Sequence, residues 1–263
     1  MRPSTLEERE SFYRDEFDTR SLSRWMMSRR RSTKFSMILG RHTGIVMESR
    51  RGQKDDVIVI DDWRSADDVK QFALDYLPES LYYDRNRYLD IGSCAECGDS
   101  RRSCPGCYNF VGQQLAFDLD PENVGCPYHG HTGDKMERGS GLSFCMIEFK
   151  EVRRQAALLS DELRRQYSCV SIVYSGRGFH VVVDDQDAYA LSFPERRSLA
   201  RRFGRTYAID EWVTGGGSRF MRLPLSLNGL VSRKCIRIKE KRDLLEFDPR
   251  ETVLVIPDFL RSA

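Results

Sequence analysis

Residues 170–185, VSIVYSGRGFHVVVDD, leave the chain little conformational choice. Two runs rich in β-branched and aromatic residues, 170–174 and 179–183, flank Ser-Gly-Arg-Gly. That pattern predicts a hairpin whose turn displays Arg177, with His180 just inside the returning strand. A further strand is read in QQLAFDLDPEN, residues 113–123. Alternate residues of a strand share a face, so Asp118 and Asp120 hold two carboxylates side by side, opposite Phe117 and Leu119. Two like charges at that spacing call for a neutraliser, and a hard divalent cation takes carboxylate oxygens and keeps positions open for substrate phosphates. The plain alternative is a strand running into a turn built from Asp-Pro-Glu-Asn. An EF-hand reading of DLDPENVG fails, because the Gly and the closing Glu are not at the required positions.

With 263 residues the chain makes one large domain or two small ones. No apolar run is long enough to span a bilayer, and the opening MRPSTLEERESFYRDEF is charged from the start, so a soluble, cytoplasmic protein is expected. The net charge is only +2, but residues 1–54 carry 13 Lys or Arg against 7 Asp or Glu, and residues 219–242 carry 8 against 1. Two basic stretches around an acidic middle suit a surface that follows phosphates while reserving carboxylates for metal.

Eight cysteines in an intracellular chain point to metal before disulfides. Cys94, Cys97, Cys104 and Cys107 form CxxC, six residues, CxxC, the ligand set of a closed tetrahedral Zn²⁺ site. A less regular group follows: Cys126, His129, His131 and Cys145 supply a second set of four, with Glu148 as a spare oxygen donor. Cys169 and Cys235 are isolated and read as small packed hydrophobes.

The opening segment to about Trp25 reads as helix, residues 35–47 and 57–60 as strands, and 65–76 as a helix capped by Ser65. Ile147, Val152, Ala156, Leu159 and Leu163 recur at helical spacing between Cys145 and Tyr167. A helix over 192–207 opens at Ser192 with Pro194 in its first turn. Strands RFMRLPLSL and RKCIRIKEK follow a Gly-rich link after Asp210. Helices and strands alternate irregularly, which indicates α+β.

Taken together, the paired aspartates, the Ser-Gly-Arg-Gly-x-His hairpin, and a third Asp before a strand ending in Arg-x-Pro-x-Ser-Leu resemble the archaeo-eukaryotic primases, most nearly the small catalytic subunits of DNA primase. The likeness covers most of the chain: ERESFYRDEF, LPESLYYDRNRY, LAFDLD, VYSGRGFHVVV and IDEWVTGGGSRFMRLPLSLNG. It implies a primase catalytic (RRM-like) core over 1–263, α+β with mixed or antiparallel sheets flanked by helices, a zinc-binding insertion near 92–110 and a second metal cluster in 126–148. It implies that Asp118, Asp120 and Asp210 hold two Mg²⁺ or Mn²⁺ ions. Ser175, Arg177 and His180 would cradle a triphosphate, with Arg222, Ser226 and Asn228 as further nucleotide contacts. Three features depart from the family pattern. Asn228 stands where a His is frequent, the regular four-cysteine group precedes the aspartates instead of following them, and Glu148 stands where a cysteine is expected. Arg219 has no counterpart and reads as solvated or template-facing. The chain also ends soon after EFDPRETVLVIPDFL, which reads either as a short version of the family or as a piece of a longer chain.

The implied activity is template-directed synthesis of short primers from nucleoside triphosphates on single-stranded DNA, beside a large primase subunit. The alternative within the superfamily is a primase-polymerase of plasmid replication, repair or end joining. The alternative outside it is a non-catalytic zinc-ribbon protein that binds nucleic acid, which leaves the three carboxylates and the phosphate-cradle hairpin unexplained.

Overall fold

The computed structural model describes residues 1–28, 33–52, 56–91, 107–130, 145–217 and 220–261. The chain divides into two compact units, one of Met1–Val111, Arg219–Ile236 and Asp248–Ala263, the other of Gly112–Ser218 and Arg237–Phe247. The expected double-CxxC site lies outside the described residues except for Cys107, and so do His131 and Arg219.

In the first unit, the predicted opening helix is divided. Helix α1 (Leu6–Ser11) starts from a capping box in which Thr5 and Glu8 satisfy each other's backbone N–H groups. A π-helical turn, Phe12–Glu16, buries Phe12 and Tyr13, and α2 (Thr19–Ser28) buries Leu22 and Met26. Strand β1 (Phe35–Ile38) ends well before Met47. The chain folds back after it because Gly44 N–H donates to Gly40 O at 2.8 Å, and a Cβ on Gly40 would lie 2.9 Å from Ile45 O. β1 pairs antiparallel with β2 (Val57–Ile60), Phe35 opposite Ile60. Helix α3 (Ala66–Tyr76) begins at the predicted Ser65, with Asp68 completing the capping box. It delivers the chain to β3 (Ser80–Asp84), a strand the sequence pattern did not reveal. β3 is central, pairing with β1 on one side and with the later segments Phe220–Arg222 and Leu227–Asn228 on the other. RFMRLPLSL is thus two short strands with a turn between them.

Two buried charges organise this unit. Arg9 Nη1 donates to the carbonyls of Leu39, Ile45 and Leu77 at 3.0–3.1 Å, joining three separate chain segments. Glu79, fully buried, accepts from Thr43 N–H at 2.9 Å and Thr43 Oγ1 at 2.8 Å, and its other oxygen lies 2.5 Å from His42 Nδ1. Burial pushes the Glu79 carboxyl up, but the hydrogen bonds from His42 and Thr43 outweigh it and hold the group at about 2.

The second unit is built on β4 (Leu115–Leu119), α4 (Met146–Leu163), β5 (Val170–Tyr174), β6 (Phe179–Val183) and α5 (Phe193–Gly204). The hairpin forms over the residues its pattern predicted. Its sheet runs Ile236–Ile238, β5, β6, β4, so β4 is an edge strand. Helix α4 lays Phe149, Val152, Leu159 and Leu163 against this sheet, each side chain contributing about 2 kcal/mol by leaving water. Phe149, Tyr174, Phe179 and Phe247 form one aromatic cluster, with Tyr174 and Phe247 ring centres 4.6 Å apart. α5 starts at Ser192 with Pro194 in its first turn, as expected, and its Arg196 is buried, donating to the carbonyls of Leu191, Ala188 and Tyr189 at 2.9–3.2 Å. The fold is α+β with antiparallel pairing at its centre, and among the described residues no helix is long and apolar enough to cross a membrane.

Candidate active site and metal centre

The sheet register fixes the carboxylates. Phe117 and Leu119 are fully buried on one face of β4, so Asp118 turns to the other, where it stands opposite His180 of β6. His180 Nε2 lies 3.4 Å from Asp118 Oδ1, and the imidazole is nearly buried. Asp120 follows the strand in extended conformation, φ −106° and ψ 145°, so the alternation carries through and its side chain returns to the Asp118 face. Pro121 then turns the chain.

Asp210 reaches the same edge by backbone pairing. Ile209 forms an antiparallel bridge with Leu119, and Asp210 N–H donates to Asp118 O at 2.8 Å. The Asp210 carboxylate caps a short helix, Glu211–Thr214, accepting from Trp212 N–H at 2.8 Å and Val213 N–H at 3.1 Å. Backbone pairing thereby sets Asp210 beside Asp118 at one end of β4, with Asp120 two residues on and His180 opposite Asp118, a set of residues whose donors are hard oxygens. That donor chemistry fits Mg²⁺ or Mn²⁺.

The Ser-Gly-Arg-Gly turn rests directly on the aspartate strand. Gly178 N–H donates to Ser175 Oγ at 3.1 Å, and Gly176 takes φ +99°. A Cβ on Gly178 would fall 2.1 Å from Leu119 O and 2.7 Å from Asp120 Oδ1, so only glycine allows this approach. Arg177 is not displayed to solvent as the hairpin pattern suggested. It is 7% exposed because its guanidinium is held by Glu122, Nη2 to Oε2 at 2.8 Å and Nη1 to Oε1 at 3.2 Å. Burial and the neighbouring Asp120 charge push the Glu122 carboxyl up to about 7, against the pull of Arg177. Glu122 was not singled out from the sequence; its place two residues after Asp120 was the available signal.

Arg222, Ser226 and Asn228 belong to the other compact unit. The Arg222 guanidinium stacks over Tyr82 at 5.0 Å and donates to its hydroxyl at 3.2 Å. Ser226 Oγ donates to Leu223 O at 2.7 Å and is fully buried, which gives it a task in the local turn. Asn228, also buried, accepts from Leu230 N–H at 3.2 Å.

Cys126, His129, Cys145 and Glu148 come together with one ligand atom each within 4.8 Å of one another. Reciprocal backbone hydrogen bonds between Cys126 and Gly130 form the knuckle that brings His129 round. Cys145 precedes α4 and Glu148 lies one turn in, on the same side. The separations are 4.0 Å for Sγ to Sγ, 3.3 Å for Cys126 Sγ to His129 Nδ1 and 3.4 Å for His129 Nδ1 to Glu148 Oε1. A tetrahedral Zn²⁺ with ordinary bond lengths requires about 3.8, 3.6 and 3.4 Å for these pairs. The cluster fits zinc, with Glu148 as fourth donor where a cysteine was expected. Of the two isolated cysteines, Cys235 is buried, its thiol pushed up to about 12 by loss of water, whereas Cys169 is exposed and does not pack as a hydrophobe.

No family model matches the chain. It is 51% identical over 264 aligned residues to an uncharacterized DNA primase small subunit-like protein of Archaeoglobus fulgidus, covering 100% of this chain and 93% of that one. It is 26% identical to the DNA primase small subunit of Thermococcus onnurineus over 76% of this chain, and 28% identical to that of Sulfolobus acidocaldarius over 70%. These matches span 49% and 65% of the two relatives' lengths. In fold it is similar to the polymerase domain of Mycobacterium tuberculosis ligase D solved in complex with DNA, with a TM-score of 0.50 at 13% identity over 98% of this chain and 86% of that one. With half its residues shared along its whole length with such a relative, the chain belongs to the DNA primase small subunit-like proteins of the archaeo-eukaryotic primase superfamily.

Proposed function

We propose that this protein is a DNA-directed nucleotidyltransferase that builds short primers from nucleoside triphosphates on single-stranded DNA. What supports the reading is the backbone pairing that sets Asp210 beside Asp118 at the end of β4, with Asp120 two residues on, against the hairpin that carries Ser175, Arg177 and His180. In this reading the three aspartates hold divalent metal. When bound, such ions supply Lewis-acid stabilisation of the attacking hydroxyl and of the leaving pyrophosphate. The protein's own part is positioning. Asp210 is fixed by its backbone bond to Asp118 and by its cap, the Gly178 turn sets the phosphate side against the metal side, and His180 donates a hydrogen bond to a phosphate oxygen. Zinc at Cys126, His129, Cys145 and Glu148 ties the segment after Asp120 to the start of α4. A large subunit is the expected partner in initiation.

The test is synthesis on a single-stranded template with labelled ribo- or deoxynucleotides and Mg²⁺ or Mn²⁺, with and without primer. Metal-dependent product from the wild type, absent from a folded Asp118→Ala, Asp120→Ala double variant, is expected. Unprimed product separates a priming enzyme from a plain polymerase, and comparing the two nucleotide types distinguishes a primase from a primase-polymerase that favours deoxynucleotides. Product retained by the double variant overturns the reading.

A further inference from the structure

Both terminal nitrogens of Arg177 are taken by the two oxygens of Glu122, at 2.8 and 3.2 Å. Fork-on-fork pairing is the geometry a guanidinium uses for phosphate as well as for carboxylate. The pair is largely enclosed, with side chains 8% and 20% exposed, so it is held more firmly than an ion pair at the surface. The local chain makes this contact deliberate. Glu122 sits in the turn Pro121–Asn123, closed by Asn123 N–H to Asp120 O at 3.0 Å and Val124 N–H to Pro121 O at 3.2 Å. Gly178 brings the partner turn onto Asp120 from the other side. The local chain on both sides thus seats Glu122 against the Arg177 fork.

We propose that Glu122 is an internal competitor for the phosphate site: its carboxylate fills the Arg177 fork in the nucleotide-free protein, and a nucleoside triphosphate gains the fork only by displacing it. The inference rests on the reading of Arg177 as a nucleotide contact. No bond is made or broken; one anion replaces another on the same donors. Displacement costs the same for every phosphate ligand, so Glu122 sets the affinity scale of the site without choosing the base.

The experiment is binding of a fluorescent nucleoside triphosphate and of inorganic tripolyphosphate in Mg²⁺ buffer free of chelator and template, with the full chain as wild type, Glu122→Gln, Arg177→Gln and the double variant, each checked for a native melting transition. Glu122→Asp, which keeps the charge but shortens the reach, is the second probe should Glu122→Gln fail to fold. The expected result is tighter binding by Glu122→Gln and Glu122→Asp, fivefold or more, weak binding by Arg177→Gln, and no gain from Glu122→Gln in the Arg177→Gln background. If the wild type binds, Arg177→Gln does not, and the Glu122 variants bind no tighter than wild type, Glu122 merely braces Arg177 and the competitor is overturned while the nucleotide reading stands. If Arg177→Gln binds as well as wild type, or no protein binds, the nucleotide reading itself fails and this inference with it.

Discussion

Asp210 N–H donates to Asp118 O across 2.8 Å, a main-chain bond between residues 92 positions apart that sets Asp210 beside Asp118. Because the bond is made by backbone, the placement of Asp210 does not depend on its side chain, while its helix cap does.

Those two roles separate by mutation. Asn caps a helix as well as Asp, so Asp210→Asn is expected to melt within about 2 °C of wild type, whereas Asp210→Ala loses about 1 kcal/mol of cap. Both are expected to lose primer synthesis by on the order of 100-fold or more, since neither restores an anionic oxygen to the metal set. Melting curves and primer synthesis on the same preparations check this.

Gly178→Ala tests the approach of the hairpin to the aspartates. The added Cβ would overlap Leu119 O at 2.1 Å, and backbone has to yield. A loss of about 2 kcal/mol is expected from the overpacking, measured by denaturant unfolding, together with loss of synthesis out of proportion to stability.

For the zinc cluster, metal content is the measurement. A Cys126→Ser, Cys145→Ser variant is expected to hold one zinc equivalent fewer than wild type by atomic absorption and to melt lower. Glu148→Gln is expected to keep its fold and release zinc to a chelator about 10-fold faster or more.

Glu79 gives an acid limb to the stability curve. Its carboxyl is held at about 2 against an ordinary 4.5, so its contribution is complete above about pH 4.5 and drains away as pH falls toward 2. The shift corresponds to about 3 kcal/mol. Urea unfolding of wild type and Glu79→Gln is expected to differ most at pH 6 and to converge as the pH is lowered to 3 and below.

The two isolated thiols are expected to behave oppositely toward a thiol reagent in the native protein. Cys169, exposed, reacts at once; Cys235, buried and pushed up to about 12, stays silent until the protein unfolds. Mass spectrometry of the labelled chain distinguishes them.

What could be read from the sequence was local. The 170–183 hairpin and the Ser65 and Ser192 caps carry their determinants within a few residues and formed where expected, as did the α4 stripe from Val152 to Leu163, while Ile147 at its start is exposed. Strand β3 escaped because a central strand, here Ser80–Asp84, is buried on both faces and shows no alternation. Residues 45–47 were over-read as strand because their apolar run gives no sign of the Gly40–Gly44 turn. In the site, the shared face of Asp118 and Asp120 followed from period two and the place of His180 from the hairpin pattern, whereas the burial of Arg177 depends on Glu122, 55 residues earlier, and the nearness of Glu148 to Cys126 and His129 depends on how the chain returns after Cys126. Such relationships belong to tertiary structure and leave no trace in spacing.

The pairing of β4 with β6 has one more consequence. Sliding β4 by a single residue would turn Phe117 and Leu119 to the open face and drive Asp118 into the interior, so a misregistered sheet would forfeit its core along with its chemistry. Correct folding and the facing of Asp118 and His180 are therefore one event in this unit: a copy with its sheet out of register reveals itself by instability.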